Sequence, residues 1–86
     1  MMTQVMAREL AQYNILVNAI APGSIKTEMS RVNWSDPERA KRRTQNIELK
    51  RFGEPEEIAG IAVYLASPAG SFTTGQIMCV DGGQTL

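Results

Sequence analysis

The run Ile15-Leu16-Val17-Asn18-Ala19-Ile20-Ala21 constrains this chain more than any other stretch. It is too short for a helix and is bounded hard by Pro22-Gly23. Its apolar residues are consecutive rather than alternating, the pattern of a parallel strand covered on both faces. Such a strand needs neighbours and two layers of helices. A chain of 86 residues supplies them poorly, because at this size only roughly 60–65% of the unfolded surface is buried. The first residues, Met-Met-Thr-Gln-Val-Met-Ala-Arg-Glu-Leu, read as the back half of a helix already under way, with no capping residue ahead of Met1. The expectation is therefore the C-terminal piece of a larger α/β domain, incomplete as an independent domain.

In that first helix Met2, Val5, Met6, Leu10 and Tyr13 recur at helical spacing, and Ala7 and Ala11 would admit a close neighbour. Asn14 suits a left-handed exit. After the strand, a loop of small polar residues runs through Ser30. A polar, basic helix then starts at Ser35-Asp36-Pro37-Glu38, either with Ser35 capping and Glu38 completing a capping box, or with Asp36 capping and Pro37 in the first turn. Arg51-Phe52-Gly53-Glu54 breaks the pattern before Pro55 opens a second helix. Ile58, Ile61, Ala62 and Leu65 form its expected buried face, and Pro68 closes it. Gln76 to Val80 reads as a second strand, ended by Asp81-Gly82-Gly83. The order is helix, strand, two helices, strand: one crossover unit behind a leading helix.

Nine Lys and Arg balance nine Asp and Glu, so no global field draws nucleic acid or an anionic membrane. The basic cluster from Arg39 to Arg43 is then a solvated run or a lid helix, and nucleic-acid binding is not expected. No apolar run approaches the ~20 residues of a membrane span, and Arg8 and Glu9 interrupt what a secretory signal would keep apolar. A cytoplasmic protein is the expectation. With no His and one Cys, a metal site is not expected. Cys79 lies within the second strand and reads as a buried structural cysteine.

Ligands of open α/β sheets collect beyond the carboxyl ends of the strands, which directs attention to Pro22–Ser30. Gly23 permits close backbone approach, Thr27 offers a hydroxyl, and free backbone groups at Ser24, Ile25 and Thr27 could meet a planar amide or a phosphate; a purely structural turn is the alternative. Asn18, polar within an apolar strand, reads as a brace for adjoining structure. No Ser-His-Asp set is possible without histidine, and no catalytic residue is assigned.

The segments Ala7-Arg8-Glu9-Leu10-Ala11, Asn14 through Gly23, Arg51-Phe52-Gly53-Glu54-Pro55-Glu56-Glu57-Ile58-Ala59, and Thr74-Gly75-Gln76 through Val80-Asp81-Gly82-Gly83 together resemble the classical short-chain dehydrogenase/reductase family. The resemblance covers nearly the whole chain. It implies that residues 1–86 are the C-terminal segment of a single Rossmann-like domain with a doubly wound parallel sheet. It also implies NAD- or NADP-dependent hydride transfer on a small alcohol or carbonyl substrate, in a homo-oligomer. Pro22, Gly23, Ile25 and Thr27 would line the nicotinamide end, Ile25 meeting the carboxamide and Thr27 the carboxamide or the pyrophosphate region. Residues 29–50 would form the variable substrate loop or lid, with Met29 in it and Trp34 as either an apolar wall or a packing anchor. The family's Gly-rich dinucleotide turn, catalytic Ser, Tyr-x-x-x-Lys pair and structural Asn have no counterparts here. The isolated chain is therefore expected to bind no cofactor and to be inactive. The alternative expectation is a non-catalytic truncated product that acts by self-association or by binding a partner.

Overall fold

A computed structural model describes all residues, Met1–Leu86. The order of elements is α1 (Met2–Leu10), a 3-10 turn (Ala11–Tyr13), β1 (Ala19–Pro22), α2 (Arg31–Ser35), α3 (Pro37–Thr44), α4 (Pro55–Ala66), a 3-10 turn (Pro68–Gly70) and β2 (Ile77–Val80). The two strands pair in parallel, as Ala19 N bonds Gln76 O and Gly23 N bonds Val80 O in the same direction. The chain divides into two compact units, one of residues 1–21 and 59–79, the other of residues 22–58 and 80–86.

In the first unit, α1 ends as its sequence suggests. Asn14 adopts φ 59 and ψ 36, a left-handed exit that a short polar side chain tolerates. Ala7 is the buried residue of the helix, with the Gly75 backbone against it. Met2, Val5, Met6 and Tyr13 stay exposed, so the helical stripe is uncovered apart from the half-buried Leu10.

The first strand is shorter than its apolar run. Ile15 to Asn18 form no ladder; instead Val17 N donates to Thr74 Oγ1, Gly75 N donates to Val17 O, and the Asn18 side chain donates to Thr73 O and accepts from Gln76 N. The facing stretch turns at Gly75, with φ +76, and cannot run extended there. Asn18 is therefore the expected brace. Ile15 and Leu16 are exposed, and so is Cys79, which corrects the expectation of a buried thiol: nothing covers that face of β2. Along α4, Ile61 and Leu65 are half-buried, while Ala62, expected inside, is exposed.

In the second unit, Ile58 at the start of α4 is half-buried. Asp36 caps α3 by accepting from Glu38 N, with Pro37 at the first position, which decides between the two starts open in the sequence. The short α2 ahead of it was not foreseen, the segment having read as loop. Ile47 and Phe52 are the buried apolar residues of this unit, 1% and 7% exposed. The Asp81-Gly82-Gly83 turn closes over Ile47, with Leu49 N donating to Gly82 O.

Candidate functional site

The turn that follows β1 is fixed by a second segment. Gly53 N donates to Ser24 O and Lys26 N donates to Gly53 O, an isolated parallel bridge between Ile25 and Gly53. A Cβ on Gly53 would stand 2.7 Å from Ile25 Cδ1, so the close approach is one that glycine allows. Gly23 is tighter: a Cβ there would lie 2.6 Å from Asp81 Cβ and 2.7 Å from Asp81 Cα.

The segment bearing Gly53 is itself held by charge. Arg51 forks onto Glu57, with both N–O distances 2.9 Å, and donates to Phe52 O. Glu57 Oε1 also accepts from Glu54 N, the reach-back half of a capping box at the start of α4. The Arg51 hydrogen bonds, then the Glu54 amide, lower the Glu57 pKa to about 2. Asp81 is lowered as well, chiefly by the Thr85 hydroxyl and next by Gly83 N. Both carboxylates are anionic at neutral pH and have structural partners, which makes them poor proton carriers.

Beside this turn lies an open cleft of about 350 Å³. Pro22, Gly23, Ile25 and Thr27, the residues singled out from sequence, all line it. Ser24, Ser30, Asn33, Arg43 and Phe52 complete the lining. Met29 is 96% exposed and lies outside it. Trp34 lies outside it too; its indole N–H donates to Thr27 O at 2.9 Å, and the Lys26 ammonium stands 5.7 Å from its ring centre.

Because Gly53 bonds to the residues on either side of Ile25, the Ile25 peptide groups point away from the bridge. Ile25 O accepts from Ser30 Oγ at 2.8 Å, whereas Ile25 N–H has no partner in the chain. Thr27 Oγ1 pairs with Ser30 Oγ at 3.1 Å and accepts from Ser30 N. A planar carboxamide, carrying one acceptor and two donors, suits the free Ile25 N–H and the surrounding hydroxyls. The residues present thus fit the nicotinamide end of a dinucleotide. They include no carboxylate, His, Lys or Tyr to exchange a proton near neutral pH.

Phe52 drew no functional reading from the sequence, and Ser30, which ends the loop that pointed here, was not singled out within it. Asn33 lies on α2 and Arg43 on α3, both within the 29–50 substrate loop or lid that the resemblance implies, where the basic run reads as solvated surface or as a lid helix and neither residue is singled out. Only the pairing of Ile25 with Gly53 brings Phe52 to the cleft, and no periodicity announces that contact.

A family model described as enoyl-(acyl carrier protein) reductase matches residues 1–85. Dehydrogenase/reductase SDR family member 4 of Bos taurus is 45% identical over 82 residues, which is 95% of this chain and 29% of that protein. A structure of Pseudomonas aeruginosa RhlG in an active-site complex with NADP superposes with a TM-score of 0.92 at 38% identity, over 99% of this chain and 34% of that one. A 4-hydroxyisoleucine dehydrogenase mutant complexed with NADH and succinate gives 0.91 at 37% identity, over 98% and 35%. The chain thus spans about a third of the length of the relatives it matches. With a family model matched over nearly its whole length, and relatives and solved structures aligned to it almost end to end, the chain belongs to the short-chain dehydrogenase/reductase family.

Proposed function

We propose that this chain supplies the nicotinamide-end wall and part of the substrate loop of an NAD(P)-dependent oxidoreductase acting on an alcohol or carbonyl group. The observation that carries the reading is the shared cleft of Pro22, Gly23, Ile25 and Thr27, with the unpartnered Ile25 N–H among them. When bound, the nicotinamide ring supplies or accepts the hydride. This chain's residues orient it: Ile25 N–H toward the carboxamide oxygen, the remaining lone pair of Thr27 Oγ1 toward the carboxamide NH2, Ser30 holding Thr27 and Ile25 O in place, and Pro22 and Phe52 as apolar surface. The complexes of the matched structures, one with NADP and one with NADH, support a nicotinamide cofactor, NAD or NADP.

Orientation is one part of hydride transfer; a proton donor in register is the other. The cleft has none, so the 86 residues alone are inactive. The test has two parts. Although the isolated chain is not expected to hold the whole dinucleotide, free nicotinamide titrated to high concentration should shift the Ile25 amide resonance, and NAD(P)H mixed with simple ketones should show no turnover. An unmoved Ile25 resonance contradicts the orienting role, and turnover contradicts the inactivity.

A second reading is favoured by the uncovered apolar residues Met2, Val5, Met6, Ile15 and Leu16: association through that face, without catalysis. Light scattering of the purified chain distinguishes it, since a monomer at high concentration excludes self-association.

A further inference from the structure

We propose that Arg43 and Asn33 form a carboxylate clamp in the cleft, so that the substrate there is a short hydroxy or oxo acid. The inference rests on the cleft's being the hydride-transfer site, and it names the substrate class for that site.

Arg43 is the one charged residue in the lining; the other residues are neutral. The ion pairs of the chain engage Lys26, Arg31, Arg39 and Arg51, and Arg43 takes part in none. A cation in the last turn of α3 is favoured by the carbonyl ends of that helix. The same holds for Lys41 and Arg42, which do not reach the cleft. Asn33, half-buried on α2, is the second unspent group: its side-chain amide makes no hydrogen bond within the chain. By contrast Ser30 and Thr27 hold each other, and Ser30 also holds Ile25 O.

A guanidinium presents a planar fork that matches a carboxylate with two parallel bonds, and the Asn33 amide can add a third donor. The volume of about 350 Å³ is near the lower end of small-molecule sites, ~300–1,000 Å³. The open cleft has room for the carboxylate end of such an acid. In the oxidative direction the hydroxyl-bearing carbon of the acid gives its hydride to the oxidised nicotinamide. The hydroxyl proton leaves to a base outside this chain, and the oxo acid and reduced cofactor result.

The test is a resonance titration of the full chain and of Arg43→Gln with butyrate, its uncharged isostere butyramide, and inorganic phosphate. Butyrate should shift the Asn33 side-chain amide and Arg43 Nε–H in the wild-type chain, with butyramide at least tenfold weaker. Arg43→Gln should weaken butyrate at least tenfold at Asn33. Equal response to butyrate and butyramide, or an unchanged butyrate affinity in the variant, would overturn the proposal. So would phosphate moving these signals while butyrate does not, which would assign the clamp to a cofactor phosphate. Nicotinamide, read at Ile25 in both proteins, reports separately on the orienting role. Loss of that response with the butyrate response intact would leave the clamp standing and remove the nicotinamide assignment.

Discussion

Ile25 and Gly53 face each other across a single parallel bridge, with Gly53 N–H on Ser24 O and Gly53 O on Lys26 N. This pairing aims the Ile25 peptide groups away from Gly53 and leaves one of them free for a ligand. The two glycines of the turn differ in what lies against them. At Gly53 an added methyl meets the end of the Ile25 side chain, which can swing aside; at Gly23 it meets the Asp81 backbone, which cannot. Gly53→Ala should therefore cost less than about 1 kcal/mol, and Gly23→Ala about 1–3 kcal/mol, the range of overpacking. Urea unfolding of the two variants checks the ranking.

Glu57 makes stability depend on acid. Its folded pKa of about 2 lies below the ordinary 4.5, so the unfolded chain takes up a proton first as pH falls. The stabilisation is complete above about pH 4.5 and disappears progressively toward pH 2. Glu57→Gln should flatten the fall in urea midpoint across that window, with Asp81, also lowered, contributing what remains. Both partners are largely exposed, so salt should reduce the effect.

Asn18 joins two segments far apart in sequence, donating to Thr73 O and accepting from Gln76 N, at 3.0 and 3.1 Å. Asn18→Ala loses both bonds and should destabilise by about 1–3 kcal/mol, at roughly 0.5–1.5 for each. Asn18→Asp keeps the acceptor for Gln76 N but sets a carboxylate against the Thr73 carbonyl, and should be no better than Ala. Thermal unfolding of the two variants decides this.

Cys79 is exposed on β2, so the native chain should release one thiol equivalent to a disulfide reagent without denaturant. A thiol that reacts only after unfolding would contradict the uncovered face.

These predictions draw on features of unequal visibility in the sequence. Asn14 announced its role because a left-handed exit demands a short polar side chain at one place, whereas Ser35 and Asp36 both met the demand of a helix cap and left that start open between them. Pro22–Ser30 drew attention because it lies beyond the end of an apolar strand, with a purely structural turn as the alternative, and the structure sets a cleft there. The shortening of β1 was not visible, since it depends on the Gly75 turn in a segment more than fifty residues away. Cys79 misled because its apolar strand implies a cover that these residues do not provide. Arg43 and Asn33 fall within the 29–50 loop that the resemblance implies, but were not legible individually: α2 and α3 decide which residues of a polar run face the cleft, and the run has too little apolar patterning to show it.

The most direct measurement of the central claim is NADP affinity in a chimera. In it, this chain replaces the matching 34% of Pseudomonas aeruginosa RhlG, the protein whose NADP complex it superposes on. Cooperative unfolding of the chimera establishes that it folds, and fluorescence titration then gives the affinity. An affinity within about tenfold of that of RhlG is expected, a difference of at most about 1.4 kcal/mol. A cooperatively folded chimera that does not bind NADP would contradict the claim.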